Sequence, residues 1–314
     1  MIRLSIIVPF YGVEKYIEEC IRSLYDQDIP MEEYEVICVD DCSPDGSRAI
    51  VERLQKEYPT LRLLTHTENK RQGGARNTAL KEARGEYVWF VDGDDTIQSN
   101  CLGRLIKTAS DNHLDVLRFY FSHTDGKAIN TTKLIDSPIM SGSSAIFDVD
   151  SGEPLGGRCG SACCQLIRKS FLQEHAIAFA EKVQYEDDDF AYQVYVLAKR
   201  MQWISMAPYI VRETQNSTTR RRTDLRKVLD VYEQLLRIAE MEPSLSAHDQ
   251  RWFAFVKKMI GWTINDYMKE MLAELPLSQR WSLYKRTFRT QHRLKPYLSH
   301  KSYLRLRTFI LIVY

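Results

Sequence analysis

Short apolar runs alternate with segments of helical periodicity through the first half of the chain. The apolar runs predict β-strands at Leu4–Pro9, Tyr34–Asp40, Leu61–Thr65, Tyr87–Asp92 and Val116–Ser122. Segments with apolar residues three and four positions apart predict helices at Val13–Asp26, Ser47–Tyr58, Ala75–Ala83 and Leu102–Ala109. Strands that alternate with helices favour an α/β fold, in which helices flank both faces of a mostly parallel sheet. Runs such as IIV, VICV and VWFV are continuously apolar because parallel strands are buried on both faces.

The pattern changes in the second half of the chain. Residues 123–160 are richer in Ser, Gly, Asp and Thr, so we expect loops around short elements there. Regular structure returns afterwards with a helix predicted at Phe190–Lys199, and the pattern becomes purely helical from about Asp224. The predicted domains are therefore 1–220, in two halves at 1–122 and 123–220, and a helical C-terminal extension at 221–314.

Bulk charge selects no class of partner, because the 314 residues carry a formal net charge of only +1. That charge is uneven, since the segment 275–314 holds nine Lys or Arg residues and no Asp or Glu. Seven scattered cysteines form no pair of CxxC motifs, which argues against a zinc site and favours reduced thiols. The opening apolar run is too short for a signal peptide, and no apolar stretch reaches the roughly 18–20 residues that span a bilayer. We therefore expect a cytoplasmic protein.

The first of three acidic clusters is VDDCSPDGS, residues 39–47, which follows a predicted strand. Ligands gather at the carboxyl ends of strands in open parallel sheets, so the position itself indicates a binding site. The cluster also matches the spacing of a calcium loop, but an apolar strand leads into it where a calcium loop requires a helix. The alternative is a strand-to-helix turn in which Asp45 or Ser47 caps the next helix. That role is compatible with a ligand role for Asp40 and Asp41.

The second cluster, FVDGDD at residues 90–95, places three carboxylates within four residues at a strand end. Such carboxylates repel one another unless a cation neutralises them. The side chains of Asp92 and Asp94 can reach the same ion, and hard oxygen ligands favour Mg²⁺ or Mn²⁺. A solvated acidic turn without a ligand is the alternative interpretation.

The third cluster, YEDDDF at residues 185–190, has four consecutive acidic residues between aromatic ones. This pattern is typical of a helix N-terminus, where the helix dipole favours negative charge. A carboxylate at such a position can also serve as the general base for a hydroxyl group.

The segments SIIVPFY, VDDCSPDGS, GGARNTALKEARGEYVWFVDGDD and YEDDDF follow one another in an order that resembles the family 2 glycosyltransferases. Each segment alone is weak, but the four in this order are specific, and the resemblance covers roughly residues 3–215. It implies the Rossmann-like GT-A fold and an inverting enzyme of bacterial polysaccharide synthesis. Such an enzyme moves a sugar from a nucleotide-diphosphate donor to a hydroxyl of a glycan or lipid-linked acceptor. The half 1–122 is then expected to bind the nucleotide sugar, and the half 123–220 the acceptor.

The resemblance also assigns the donor-binding residues. In that family the loop after the first strand and the second Asp of the DD pair hold the nucleotide base, which implies that Tyr11 stacks on the base and Asp41 accepts from its imide N–H. A carboxylate there suits uracil, so a UDP-sugar is favoured, while guanine remains open. Gly73 and Gly74 are expected to allow close approach of the backbone to the donor. The implied donor-binding residues are Pro9, Tyr11, Asp40, Asp41, Arg76, Asp92, Gly93 and Arg220.

Asp92, Gly93 and Asp94 match the DxD signature of the family, which implies a bound Mn²⁺ or Mg²⁺ ion. Asp94 is the first choice as the direct metal ligand, and Asp92 reaches either the donor ribose or the metal. The metal offsets the charge that grows on the departing diphosphate. Asp95 then supports the site or caps a helix.

The ED pair of the family falls on Glu186 and Asp187. The resemblance implies that Asp187 is the general base that takes the proton of the acceptor hydroxyl. Asp188 is a rival, because the run of acidic residues blurs the register. The segment GGRCGSACC, residues 156–164, lacks the aromatic residue expected on the acceptor side, so the acceptor stays open.

Two other functions compete with the transferase. A catalytically silent sugar-nucleotide-binding or scaffold protein would share the fold, although the three acidic clusters favour activity. A nucleotidyltransferase would share the sheet and the metal, but its glycine-rich, basic entry loop is missing where PFYGVEKY stands. No GxGxxG follows the first strand, which argues against a nicotinamide dehydrogenase.

The basic C-terminus admits three interpretations. Its cations and aromatic residues are typical of an element that lies on an anionic membrane surface, which would place the enzyme at the inner face of the plasma membrane. Nucleic-acid binding is the least favoured interpretation, and we expect no nucleic-acid partner. The third interpretation is a helical cap on the first domain, with its Lys and Arg side chains solvated.

Overall fold

The protein is described as a computed structural model over residues 1–124, 136–141, 161–213, 224–245, 257, 260, 263–264 and 268–309. The strands within these residues are β1 (Leu4–Phe10), β2 (Tyr34–Asp40), β3 (Leu61–Thr65), β4 (Tyr87–Phe90), β5 (Thr96–Ile97), β6 (Val116–Arg118), β7 (Phe121–His123), β8 (Gln165–Arg168), β9 (Met201–Trp203) and β10 (Tyr209–Val211). The α-helices are α1 (Ile17–Tyr25), α2 (Ser47–Leu54), α3 (Arg71–Glu82), α4 (Leu102–Asp111), α5 (Lys169–Glu174), α6 (Glu186–Leu197), α7 (Leu225–Leu245), α8 (Met268–Glu274), α9 (Leu277–Thr287) and α10 (His300–Phe309).

A seven-stranded sheet in the order β3-β2-β1-β4-β8-β6-β9 forms the centre of the fold. The strands β1 to β4 are mutually parallel, with Leu4 opposite both Tyr34 and Tyr87. The strand β8 is antiparallel to both of its neighbours, β4 and β6, while β6 and β9 are parallel to each other. The predicted α/β fold with a mostly parallel sheet is confirmed. A second sheet, in the order β5-β10-β7, has three short strands.

The predicted strands at Tyr34–Asp40 and Leu61–Thr65 have the predicted bounds, and all seven residues of β1 and of β2 are buried. Such complete burial is what a continuous apolar run predicts for central parallel strands. Helices α1 and α4 turn their apolar faces onto the same core cluster. The six cysteines among the described residues are free thiols, as the scattered pattern suggests.

Helix α3 begins at Arg71, four residues earlier than the predicted start at Ala75. Gly73 and Gly74 therefore lie inside a helix, where glycine costs about 1 kcal/mol relative to alanine. The reason at Gly73 is a close contact, because a Cβ atom there would lie 2.3 Å from the carbonyl oxygen of Ala180. Gly73 thus allows the backbone to approach another part of this chain, and the expected approach to the donor stays a prediction.

The single strand predicted at Val116–Ser122 is wrong. The structure has two strands there, β6 in the large sheet and β7 in the small one. Between them the amide of Phe119 donates to the carbonyl of Cys164, and that of Tyr120 donates to the carbonyl of Met206. The chain therefore passes from the large sheet to the small one over two residues, and both of these residues are aromatic, so the sequence pattern does not mark the break.

The four acidic residues 186–189 form the first turn of α6, so this helix starts earlier than the predicted Phe190. Negative charge near a helix N-terminus is favourable, which explains why the run of acidic residues begins the helix. The helix interpretation of YEDDDF is therefore correct in structure, and it is compatible with a general-base role for one of these carboxylates.

The chain separates into two compact units, residues 1–214 and 215–314. The described part of the second unit is helical, as the periodicity after Asp224 predicts. In α9 the side chains of Arg280, Leu283 and Thr287 are buried and form its inner face. None of the helices within the described residues combines the length and apolar character that crossing a membrane requires. The functional division of the chain at residues 122 and 220 stays a prediction.

Candidate active site

The acidic segments meet at the carboxyl edge of the parallel strands. β1, β2 and β4 run in the same direction, so the chain leaves all three at one edge of the sheet. The FVDGDD segment follows β4 there and packs on the end of β1. A Cβ atom on Gly93 would lie 2.9 Å from the Cβ of Phe10, so glycine at this position lets the segment lie directly against β1.

The guanidinium of Arg76 binds acidic residues from two distant segments. Its Nη2 donates to Asp92 at 2.8 Å, and its Nη1 donates to Glu186 at 2.9 Å and also to Asp187. Arg76 is fully buried, and its guanidinium lies 5.1 Å from the ring centre of Phe179. A buried charge in this position is stable only when it is paired, which the three carboxylates achieve.

Arg76 therefore joins the DxD segment to the start of α6. The structure shows it as the counter-ion of these acids, and the direct contact with the donor that the resemblance implies stays a prediction. Gln72, from the preceding turn of α3, also donates to Asp92 Oδ1 at 2.5 Å. No motif in the sequence singles out Gln72, because an isolated glutamine carries no such signal.

The acidic residues of α6 have shifted pKa values. Burial and the neighbouring Asp187 raise the pKa of Glu186, while Arg76 opposes the shift. Burial also raises the pKa of Asp187, again against the attraction of Arg76. The amide of Ala162 lies 3.5 Å from the other oxygen of Asp187. A carboxylate with a raised pKa is better suited to accept a proton near neutral pH.

The end of the FVDGDD segment is bound by β10 and by the residue that follows this strand. The Tyr209 hydroxyl and the Arg212 amide donate to the Asp95 carboxylate, at 2.5 and 2.7 Å. The predicted helix cap at Asp95 is wrong, because β5 follows it and its oxygens are bound by β10 and the residue after it. The supporting role that the sequence analysis offered as the other possibility is the one that the geometry fits.

Arg212 is a second residue that the sequence analysis missed. Its Nε donates to the carbonyl of Asp94 at 3.1 Å, and its Nη2 lies 2.6 Å from Glu19. Burial and the adjacent Asp92 raise the pKa of Asp94 to about 6, although Arg212 opposes the shift. Arg212 lies 118 residues from Asp94 in sequence, so only the fold reveals the contact.

The turn after β2 lies beside this acidic centre. Asp40 Oδ1 accepts from the Ser43 amide at 2.8 Å, which closes the turn. Asp45 accepts from both the amide and the hydroxyl of Ser47, the first residue of α2, so Asp45 rather than Ser47 supplies the N-terminal contact of that helix. These carboxylates thus each accept from a backbone amide close in sequence, and the absence of calcium binding stays a prediction.

The residues assigned to the nucleotide base lie at the same edge. Tyr11 is 54% exposed on the loop after β1, so its ring is open to a stacking partner. Pro9 is buried within β1, and Asp41 is buried directly after β2. Oδ1 of Asp41 accepts from the Lys70 amide at 2.8 Å and contacts Nδ1 of His66 at 2.7 Å. His66 is a further residue that no motif revealed.

Two parts of the predicted site are not described by the structure. Arg220, one of the implied donor-binding residues, lies outside the described residues. The segment GGRCGSACC is described only from Ser161, where Ala162–Cys164 form a short 3₁₀ helix. Asp188, the rival base, is half-buried on the first turn of α6.

A divalent cation fits the charge of this centre. The site gathers more carboxyl groups than cations, namely Asp92, Asp94, Asp95, Glu186 and Asp187 against Arg76 and Arg212. Burial is the main cause of the raised pKa of Asp94, and the neighbouring Asp92 carboxylate adds to it. Within the described residues no three His, Cys, Asp or Glu side chains form a metal-binding group by themselves. Asp94 and Asp92 could therefore hold an ion only together with ligands that are not among these side chains of the described residues.

Comparison with protein families gives one broad match. The profile described as Glycosyl transferase family 2 matches residues 5–176. The poly(ribitol-phosphate) β-glucosyltransferase of Bacillus spizizenii is 33% identical over 63% of this chain and 30% of its own length. EpsJ of Bacillus subtilis, an uncharacterized glycosyltransferase, is 32% identical over 69% of this chain and 62% of its own length. The chain thus matches less than two thirds of the length of these relatives.

Solved structures share the fold. Residues 1–349 of Staphylococcus aureus TarS in complex with UDP superpose with a TM-score of 0.74 and 23% identity, over 98% of this chain and 86% of that one. The mannosyltransferase PcManGT of Pyrobaculum calidifontis, in complex with GDP-Man and Mn²⁺, gives a TM-score of 0.58 and 21% identity, over 98% and 84% of the two chains. At these identities the likeness concerns the fold alone.

Proposed function

Because the chain belongs to glycosyl transferase family 2, we propose that it transfers a sugar from a nucleotide-diphosphate donor to an acceptor hydroxyl with inversion at the anomeric carbon. One observation carries this proposal. Arg76 holds Asp92, from the DxD segment, next to Glu186 and Asp187, at the carboxyl edge of the parallel strands. A donor-binding carboxylate and a general base thereby lie on two sides of one buried cation.

Asp94 and Asp92 would hold the divalent ion on the donor side. Mn²⁺ or Mg²⁺ bound there supplies Lewis-acid stabilisation of the charge on the departing diphosphate. The chain itself contributes the orientation of these carboxylates. Arg212 binds the backbone of Asp94, and Arg76 and Gln72 bind the side chain of Asp92.

Asp187 acts on the acceptor side. It takes the proton of the acceptor hydroxyl while that oxygen attacks the anomeric carbon from the face opposite the diphosphate, and the single displacement inverts the configuration. Arg76 and Ala162 N each bind one carboxylate oxygen of Asp187, which orients the group. Glu186 also accepts from the guanidinium of Arg76 and so helps to neutralise its charge. Asp188 remains the rival base.

Tyr11 and Asp41 bind the nucleotide base in this proposal. The exposed ring of Tyr11 stacks on the base, and Oδ2 of Asp41 accepts from its imide N–H, since Oδ1 is already engaged. This arrangement favours uracil, and a relative of the same fold has been crystallised with UDP. A guanine nucleotide, which the other neighbour binds, also offers such an N–H and stays open. Pro9, Asp40, Gly93 and Arg220 complete the assigned donor site.

A donor screen tests the proposal. The protein is incubated with Mn²⁺ and each common UDP-, GDP- and TDP-sugar, and release of the nucleoside diphosphate is measured. We expect slow hydrolysis of one UDP-sugar, because water can replace an absent acceptor. The same assay with chelator serves as the control and should show no release. Failure to release a nucleoside diphosphate from any of these donors would favour the catalytically silent sugar-nucleotide-binding or scaffold protein.

For the acceptor we propose a class of molecules and not a single compound. Relatives of the chain bear the names of transferases that act on poly(ribitol-phosphate). We place the present chain in cell-envelope polysaccharide synthesis at the cytoplasmic face of the membrane, with a glycan or lipid-linked saccharide as acceptor. Sugars built on a lipid carrier require an enzyme that reaches the membrane surface.

The outer face of α9 supports such membrane contact. Leu277, Trp281 and Phe288 are 71%, 47% and 41% exposed, and Tyr284 lies between them on the same face. The rings of Trp281 and Tyr284 stack at a centroid distance of 5.5 Å. The outward face of a helix in a water-soluble domain is ordinarily polar, so four apolar or aromatic side chains there indicate a contact surface. Exposed Lys285 provides charge for anionic headgroups.

Vesicle binding tests this surface. We expect the chain to sediment with phosphatidylglycerol vesicles but not with phosphatidylcholine vesicles. Replacing Leu277 and Trp281 with Ser should weaken binding by about tenfold for each apolar side chain removed from the interface. Ile139→Ser, at an exposed apolar residue of the first unit, is the matched control and should bind normally. Equal binding of the double variant and the parent chain would exclude α9 as the contact.

A further inference from the structure

His66 lies behind the residue proposed to read the nucleotide base. It follows β3, and its side chain is only 5% exposed. Nδ1 contacts Oδ1 of Asp41 at 2.7 Å, and Nε2 contacts the hydroxyl of Thr78 at 2.9 Å. We infer that His66 is a positioning residue that fixes the Asp41 carboxylate, so that the site selects uracil over cytosine. This inference rests on the proposed function of Asp41.

The partners of the His66 ring indicate which of its nitrogens carries a hydrogen. Oδ1 of Asp41 is a carboxylate oxygen and can only accept, so Nδ1 of His66 must carry the hydrogen between them. The Thr78 hydroxyl donates to the carbonyl of Gly74 at 3.0 Å and then accepts from Nε2. That hydroxyl can also turn and donate to an unprotonated Nε2. The contact between His66 and Asp41 is therefore preserved in either charge state of the ring.

Oδ1 of Asp41 is saturated by its two donors. A carboxylate oxygen has two favourable acceptor directions, and here the His66 ring and the Lys70 amide occupy them. The remaining oxygen, Oδ2, is left for a ligand. Both engaged donors come from outside the turn that carries Asp41, so they fix the rotation of the carboxylate as well as its position.

A fixed acceptor oxygen discriminates between pyrimidines. Uracil presents an N–H at N3, which donates to Oδ2, whereas cytosine presents a lone pair at N3, which Oδ2 repels. A carboxylate that is free to rotate can relieve this repulsion by turning away or by admitting water. The His66 contact should therefore increase the preference for UDP over CDP beyond any effect on affinity in general.

Thr78 connects this contact to the acidic centre. It lies on α3 two residues after Arg76, whose guanidinium binds Asp92 and Asp187. One helix thus supports both the base-reading carboxylate, through His66, and the carboxylates near the transferred sugar. This shared support explains why a buried histidine stands at the end of a short surface strand.

Binding of UDP and CDP to variant chains tests the inference. We expect His66→Leu to weaken UDP binding about tenfold, the loss of one charge-assisted hydrogen bond, with little change for CDP. The preference for UDP over CDP should fall by the same factor. His66→Asn can place an amide N–H close to the former Nδ1 and should recover most of the preference. With the UDP-sugar substrate, KM should rise while kcat is retained, because the base contact is equal in ground and transition states.

Controls separate this inference from the function on which it rests. His175→Leu, at an exposed histidine of the first unit, should behave like the parent chain. If Asp41→Asn leaves UDP binding unchanged, the proposed base contact itself is wrong. If Asp41→Asn lowers UDP binding but His66→Leu keeps the parent UDP-to-CDP preference, only the positioning role is overturned.

A second pair of variants covers the case in which His66→Leu does not fold. Thr78→Val removes the partner of Nε2, and Thr78→Ser keeps the hydroxyl. In the valine variant we expect the UDP-to-CDP preference to fall roughly threefold, because the His66 ring is held less firmly but is still present. The serine variant should keep the preference of the parent chain. Equal preferences in the two variants would contradict the inference.

Discussion

Asp94→Asn is expected to abolish metal-dependent binding of the donor. The substitution removes the charge of the first-choice ligand but keeps its shape, so the ion loses its main support in the chain. Since the metal contributes several kcal/mol to leaving-group stabilisation, turnover should fall by about three orders of magnitude or more. Donor binding is measured by calorimetry with and without Mn²⁺, and turnover by nucleotide release.

The control for this variant is Asp111→Asn, at an exposed acidic residue of α4 that pairs with Lys107 on the surface. It should leave both donor binding and turnover unchanged. The Asp94 variant should also unfold at a temperature no lower than the parent chain, because a neutral side chain relieves repulsion from Asp92. Donor binding that remains fully dependent on Mn²⁺ in Asp94→Asn would exclude Asp94 as the ligand.

Asp187→Asn is expected to separate binding from chemistry. The amide cannot take the proton of the acceptor hydroxyl, so transfer should fall by roughly 10²–10⁴-fold, the usual contribution of a general base. The donor should still bind, because the metal ligands and the base-binding residues are retained. The measurement compares the affinity for UDP in the presence of Mn²⁺ with the rate of sugar transfer, in the parent chain and the variant.

The position of Asp187 next to Arg76 makes a structural control necessary. The variant reduces the negative charge around the buried guanidinium, so its unfolding temperature is measured alongside its activity. Asp188→Asn is the matched comparison, one residue along the same helix turn. If Asp187→Asn keeps its turnover while Asp188→Asn loses it, Asp187 is removed as the base and Asp188 takes its place.

Much of the fold was predictable from local pattern. The strand at Tyr34–Asp40 and the one at Leu61–Thr65 appear with the predicted bounds. At Tyr34–Asp40 the pattern is clear because a parallel strand in the middle of the sheet is buried on both faces and is therefore mostly apolar. The ends of helices and strands were less predictable where contacts with residues distant in sequence override the local hydrophobic pattern. Helix α3 extends back to Arg71 because Gly73 packs on Ala180, and nothing near Gly73 in sequence indicates that contact.

The site was predictable in its residue types but not in its connections. The acidic clusters stand out in sequence because like charges are rarely placed together without a reason. The contacts that connect them join residues far apart in sequence. Arg76 lies 110 residues before Glu186 and 111 before Asp187. Arg212 and His66 belong to no motif, so their partners became visible only in the folded chain.

The sequence by itself determined the α/β architecture with a mostly parallel sheet and the three acidic segments that mark the site. These properties depend on periodicity and on charge spacing, which are local. The tertiary structure decided which residues meet, namely that Arg76 neutralises acids from two segments and that Asp95 is bound by Tyr209 and Arg212. Such pairings depend on how strands and helices are arranged in space, because a buried charge is stable only beside a partner that the fold brings to it.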